Sequence, residues 1–244
     1  MKQKYRLDKL LVLNNYVENV TKAKALIMTG NVLVNELKVE KPGTKFIKDI
    51  HIRIKKKPHE WVSRGGIKLS YAIEKLNIKI DNRVCADIGS STGGFSEVLL
   101  NKKAKHVFSV DVGKGLLNWK IATNYKVTVL DSTNARYLSI DDISPKISFI
   151  TVDLSFISIT KALDKIASSQ KKSLSILALV KPQFELTRDM IGKNGVVTCS
   201  LYREKAISKV CEWFKQKGWT NQKVIKSPIT GAAGNIEYFI YCER

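Results

Sequence analysis

Four apolar runs between residues 84 and 153 each end in an aspartate. Val84-Cys85-Ala86 leads to Asp87, His106-Val107-Phe108-Ser109-Val110 to Asp111, Val127-Thr128-Val129-Leu130 to Asp131, and Ile147-Ser148-Phe149-Ile150-Thr151-Val152 to Asp153. Amphipathic stretches such as Phe95 to Leu100 separate them. Strands alternating with helices predict an α/β domain built on a mainly parallel sheet. In such a sheet the residues closing successive strands collect on one edge, where open α/β folds bind ligands. One such aspartate is ordinary turn chemistry. Four in succession would repel one another without cations or hydrogen-bond donors, which points to a site. A fifth run, Leu174 to Val180, ends in Lys181 instead. Ile159, Ala162, Leu163 and Ile166 mark one helix, and Ile207, Val210, Cys211 and Phe214 another. Strands around Val224-Ile225 and Glu237 to Tyr241 close the chain.

The first of these junctions reads Asp87-Ile88-Gly89-Ser90-Ser91-Thr92-Gly93-Gly94-Phe95. Its glycines let backbone approach a ligand closely, and the helix start supplies unpaired N–H groups. It is not the dinucleotide pattern G-x-G-x-x-G, because an acid precedes the first glycine. That carboxylate disfavours a pyrophosphate and suits a ligand with an amino group, such as S-adenosylmethionine. An acid after the second strand, Asp111, can accept both hydroxyls of a ribose. Asp131, with Ser132 beside it, is placed to receive an adenine amino group. The alternative is a plain sheet-to-helix turn.

The formal net charge is +20, from 42 Lys and Arg against 22 Asp and Glu. Such an excess implies a polyanionic partner bound by phosphate neutralisation and counterion release. A lysine-rich compositional bias is the plain alternative. Cys85, Cys199, Cys211 and Cys242 show no metal-ligand spacing and read as reduced thiols. No metal site is visible, and no apolar run approaches a membrane span. A start without a signal-peptide core gives a cytoplasmic expectation.

The first sixty residues read differently. Leu7, Leu10 and Leu11 form one helical stripe, and Ala23, Leu26 and Ile27 a second, with Thr21 as N-cap and Gly30 as the closing residue. Short strands follow around the turn pairs Asn35-Glu36 and Pro42-Gly43. The pattern Arg6-Leu7-Asp8-x-x-Leu11, then Gly30-Asn31-Val32-Leu33-Val34-Asn35, resembles the αL RNA-binding domain first seen in the small-subunit ribosomal protein S-four. That family usually carries Ser-Arg where this chain has Thr21-Lys22. The cap and charge are kept and the bidentate guanidinium is lost. The resemblance implies RNA contacts from Arg6, Lys9, Lys22 and Lys24. The expected domains are 1–57 for RNA binding, 58–66 as linker and 67–244 for chemistry.

After Lys55-Lys56-Lys57-Pro58, the stripe Leu69, Ala72, Ile73 and Leu76 predicts a helix from Ile67. Lys68 near its start opposes the helix dipole, which a purely structural residue tends to avoid. Methyl transfer from a sulfonium to a hydroxyl is an in-line displacement. It needs the hydroxyl held, its proton removed or polarised, and the developing charge met by a cation. Asp153 and Lys181 end neighbouring strands, and Lys68 and Glu237 could complete two cations and two anions. A second lysine lowers a lysine's pKa and carboxylates raise it, so the base is left open.

In combination these stretches resemble the TlyA family, an αL domain joined to an FtsJ-like ribosomal RNA 2′-O-methyltransferase often called hemolysin. The carriers are Trp61-Val62-Ser63-Arg64-Gly65-Gly66-x-Lys68-Leu69, the Asp87–Phe95 junction, Asp111-Val112-Gly113, Thr133-Asn134-Ala135-Arg136, Asp153-Leu154-Ser155-Phe156-Ile157-Ser158, Val180-Lys181-Pro182-Gln183-Phe184-Glu185 and Gly234-Asn235-x-Glu237. The resemblance implies a Rossmann-like seven-stranded class I methyltransferase sheet and a Lys68–Asp153–Lys181–Glu237 tetrad. It implies S-adenosylmethionine held by Asp87, Gly89, Ser90, Thr92, Gly93, Gly94, Phe95, Asp111, Asp131 and Ser132, and no metal. The acceptor would be a cytidine in ribosomal RNA, of the large subunit for this shorter form, with Arg64 as a further RNA contact. The linker, here Glu60-Trp61-Val62-Ser63, would sense RNA and cofactor. Rival readings are a membrane-active hemolysin, an RNA-binding protein with a dead catalytic domain, and a pyridine-nucleotide enzyme.

Overall fold

The computed structural model describes residues 3–55, 60–144, 146–169 and 172–244, the side chain of Ala232 excepted. The chain divides into two compact units, Met1–Glu60 and Trp61–Arg244. Lys56, Lys57, Pro58 and His59, which the sequence assigns to the end of the first domain and the linker, lie outside the described residues.

In the first unit the helices Leu7–Leu13 and Val20–Met28 bury both predicted stripes, with Leu7, Leu10, Leu11, Ala23 and Ile27 fully enclosed. Strand Val32–Val34 pairs with Leu37–Lys38 on one side and Ile52–Ile54 on the other. The Asn35-Glu36 turn has positive φ at both residues, as a two-residue hairpin requires. The second helix is capped by Asn19, whose Oδ1 accepts from Lys22 N at 2.9 Å. Thr21 is therefore not the cap. Asn19 sits at the extended residue before the helix and can reach the third amide, whereas Thr21 is already helical. Gly30 does close the helix: at φ +68° its N–H reaches Ile27 O while Asn31 N reaches Leu26 O. Lys4–Arg6 forms an unforeseen strand against Lys45–Ile47. Three residues are too few for a periodic signal.

The second unit is a seven-stranded sheet between two helical layers. Its strands are numbered β1 (Val84–Ile88), β2 (His106–Val110), β3 (Val127–Leu130), β4 (Ile147–Val152), β5 (Ser175–Val180), β6 (Thr220–Lys226) and β7 (Tyr238–Glu243). The spatial order is β6-β7-β5-β4-β1-β2-β3. β3, β2, β1, β4 and β5 run parallel, and β7 is antiparallel to both of its neighbours. The fold is thus α/β with the expected seven strands. β5 reads as a continuous apolar run because both of its faces are covered. Ile176, Ala178 and Val180 pack on one side with helix Ser200–Gln216, and Leu177 and Leu179 on the other with helices Arg64–Lys75 and Gly94–Asn101.

Two boundaries differ from expectation. The helix read from Ile67 begins at Arg64, so Arg64-Gly65-Gly66 is its first turn and not linker. Ser63 is extended and the Gly66 amide reaches its carbonyl, so the helix starts as soon as the chain leaves Ser63. The stripe Ile159 to Ile166 is broken into Ile159–Ala162 and Asp164–Ala167, because Leu163 sits at φ −105°, ψ 12°. Cys85 and Cys242 are buried thiols, and Cys199 and Cys211 are half-buried.

Candidate active site

The chain leaves β1 toward β2 and β3 on one side, while β4 and β5 lie on the other. A crevice opens at the carboxyl ends where that order reverses. Gly89 stands there at φ +83°, and a Cβ on it would come within 2.4 Å of the Asp153 carbonyl oxygen. Only glycine lets the β1 turn pass so close to the end of β4. The amides of Gly89 and Ser90 both donate to Val110 O, which ties the same turn to β2. Gly93, at φ +93°, starts helix Gly94–Asn101, and the place of its missing Cβ is filled by Leu117 and Ile121.

A cavity of about 620 Å³ opens on this edge, lined among others by Gly89, Ser91, Asp111, Val112, Asn134 and Asp153. A second, of about 140 Å³, is lined by Ser63, Lys68, Ser90, Thr92, Gly94, Phe95 and Asp153, with Gly89 and Ser91 again in its wall. Asp153 thus faces both.

The sheet brings the four predicted tetrad residues to the edge as two ion pairs. Asp153 follows β4 and Lys181 follows the adjacent β5. Glu237 precedes β7, whose first residue pairs with Val180 because β7 runs the opposite way. Lys68 comes from the helix packed on that face. Lys68 Nζ donates to Glu237 Oε2 at 2.6 Å, with side chains 10% and 2% exposed. Lys181 Nζ lies 2.6 Å from Asp153 Oδ1, with side chains 11% and 22% exposed, and donates to Ser155 Oγ at 2.9 Å. Asp153 Oδ1 is buried against that ammonium.

Asp87 requires a correction. It is fully buried, and its oxygens accept from Ser96 Oγ at 2.6 Å and Thr151 Oγ1 at 3.0 Å. It braces the turn from behind and lines neither cavity. Burial pushes its carboxyl up to about 7, against the pull of those two hydroxyls. The unfolded carboxyl titrates near an ordinary ~4. Between those values the folded state holds a proton that the unfolded chain has released, so stability falls as pH rises from about 4 to about 7, then levels. Asp87→Asn is expected to flatten that fall, measured by chemical denaturation at several pH values. Parallel curves for the two proteins would contradict the burial argument.

Asp111 lines the larger cavity, with Oδ2 accepting from Ser91 N at 2.7 Å and Oδ1 from Gly113 N at 2.8 Å. Each oxygen keeps a lone pair for a further donor. Asp131 and Ser132 do not line it; Thr133, Asn134, Ala135 and Arg136 take that wall. Asp131 instead accepts from Gly115 N at 2.9 Å, because β3 ends beside that glycine turn. Arg64 is exposed and donates to Thr230 O at 2.8 Å. Among the described residues no three His, Cys, Asp or Glu side chains gather as a metal site.

Several residues escaped sequence reasoning. Gly231 leaves room for Glu237, since a Cβ there would fall 1.9 Å from its Oε1. Asn235, 2% exposed, binds Val197 N and Gly195 O and clamps the loop beside Glu237. Glu185, held raised in pKa by burial, accepts from Ser158 Oγ and Ile159 N and joins the loops after β4 and β5. All three sit within motifs or beside Gly-Asn pairs, but their contacts are long-range.

Comparison with known proteins adds the following. Residues 61–244 match the FtsJ-like methyltransferase family. The chain is 36% identical, over 99% of its length and 90% of the relative's, to the 16S/23S rRNA (cytidine-2′-O)-methyltransferase TlyA of Mycobacterium tuberculosis. It is 34% identical, over 93% of its length and 82% of the relative's, to the 23S rRNA (cytidine-2′-O)-methyltransferase TlyA of Campylobacter jejuni. A solved structure from Streptococcus thermophilus, described as a candidate hemolysin, is 35% identical and superposes with a TM-score of 0.75, covering 100% of this chain and 90% of that one.

Proposed function

Since the chain belongs to the FtsJ-like methyltransferase family, we propose that it methylates the ribose 2′-hydroxyl of a cytidine in ribosomal RNA, using S-adenosylmethionine and acting on the large subunit. The observation that carries this reading is the two ion pairs at the sheet edge, with Asp153 in the wall of both cavities. A ribose hydroxyl brought to that edge meets a carboxylate and an ammonium side by side.

The donor fits the larger cavity in size and chemistry. About 620 Å³ lies within the range of small-molecule sites, and Asp111 offers two carboxylate oxygens there. Gly89, Ser90, Thr92, Gly94 and Phe95 form the neighbouring wall, around the smaller cavity. When bound, the sulfonium supplies an electrophilic methyl group. The acceptor hydroxyl donates to the Asp153 carboxylate, and the Lys181 ammonium meets the charge that grows on the oxygen as its proton leaves. Glu237 holds Lys68 at the rim of the smaller cavity, so that the site keeps its geometry without reorganising.

The first unit is the αL-type module that grips RNA. Lys9, Lys22 and Lys24 are exposed there. Lys22 pairs with the exposed Glu18 at 2.5 Å, a weak surface contact that a phosphate displaces. Arg6 spends its fork on Asp8, so the lysines carry most of the attraction. Lys22→Gln with Lys24→Gln is expected to weaken binding of an rRNA fragment and to reduce the salt slope by about one unit per lost phosphate contact. An unchanged slope in a filter-binding series would mean that these lysines do not touch RNA. Among the described residues no helix is long and apolar enough to cross a membrane. The ribosomal substrate puts the protein in the cytoplasm.

The test is to incubate the protein with separated ribosomal subunits and S-adenosylmethionine and map 2′-O-methyl groups. One new cytidine in the large subunit is the expected result. A methyl group on the small subunit overturns the subunit preference, and none on either overturns the reading.

A further inference from the structure

Among the described residues the Lys181 ammonium has two partners, Asp153 Oδ1 at 2.6 Å and Ser155 Oγ at 2.9 Å. The carboxylate draws the charge, and the hydroxyl adds a second fixed point, so the ammonium is held from two sides. Ser155 lies two residues beyond Asp153, on the loop leaving β4, in the wall of the larger cavity. The next residue, Phe156, holds φ +63° and rests its ring 5.4 Å from that of Phe184, on the segment after Lys181. The loop carrying Ser155 is thereby pinned to the strand end carrying Lys181.

We propose that Ser155 is a positioning residue for methyl transfer: its hydroxyl accepts from Lys181 and, together with Asp153, fixes the ammonium where the charge of the acceptor oxygen develops. This rests on the function proposed above. An ammonium has three N–H groups and rotates about its last bond. Without Ser155 it is held by Asp153 alone and swings about that contact.

The test compares Ser155→Ala and Ser155→Thr with the parent in single-turnover methylation of ribosomal subunits, with affinities for S-adenosylmethionine and RNA measured alongside. Ser155→Ala is expected to lose about tenfold in rate, with both affinities within about twofold, and Ser155→Thr to recover most of the rate. The Lys181 ammonium resonance, followed by lysine-selective NMR, is expected to move in Ser155→Ala as its hydroxyl partner is lost. An unmoved resonance overturns the proposal, as does loss of cofactor affinity in place of rate or equal loss in both variants. A parent protein that methylates no ribosomal RNA defeats the proposed function instead, and the resonance still reports on the Ser155–Lys181 contact.

Discussion

Lys181→Ala is expected to cut methyl transfer by roughly 10²–10⁴-fold, the span of a lost acid–base or charge-stabilising group, while RNA and cofactor binding stay within about twofold. The side chain is only 11% exposed, so it contributes little to phosphate attraction at the surface. Its Nζ lies against Asp153 Oδ1, where the growing negative charge of the acceptor oxygen would fall. The stability loss is modest, about 1–3 kcal/mol, because Asp153 is 22% exposed and water can solvate the carboxylate left behind. Single-turnover kinetics with labelled S-adenosylmethionine, together with thermal melting, checks both halves. Wild-type turnover in this variant would remove Lys181 from the reaction.

The second large effect separates folding from chemistry. Glu237→Ala strands the Lys68 ammonium, which is 10% exposed, against a carboxylate that was 2% exposed. Breaking one partner of a buried pair costs about 3–5 kcal/mol, because the remaining charge is left uncompensated. Both stability and turnover are therefore expected to fall. The double variant Lys68→Met with Glu237→Gln removes both charges, and should recover most of the stability and none of the activity. Urea unfolding of the parent, Lys68→Met, Glu237→Gln and the double variant gives the coupling as a double-mutant cycle. Additive losses would mean that the two side chains do not depend on each other, and recovered turnover in the double variant would mean that the pair is structural.

How far such residues can be read in advance depends on how local their cause is. Asp153 and Lys181 were legible because an apolar run shows where a strand ends, and its closing residue falls on the sheet edge. Asp87 lies inside β1, in register with Thr151 and not with Asp153, and is turned into the core toward Ser96 and Thr151. An apolar run does not say at which residue its strand stops, and a shift of two residues carries an acid from the crevice to the strand interior. Asp131 follows its strand, but it accepts from the Gly115 amide and lies outside the wall of the larger cavity. Gly231, Asn235, Glu185 and Ser155 gave no signal of their own, because each acts on a partner brought close by the fold.

Local information in the chain determined the alternation of strands and helices, the tight turn at Gly89 and the identity of the four charged side chains. These follow from hydrophobic period, backbone sterics and residue chemistry, which act over a few neighbours. Tertiary structure decided the pairing. With β7 antiparallel beside β5, the start of β7 lies at the carboxyl end of its neighbour, so Glu237 meets Lys68 from a distant helix. Sheet order and strand direction are set by burying both faces at once, and that requirement belongs to the whole unit and not to any single stretch of it.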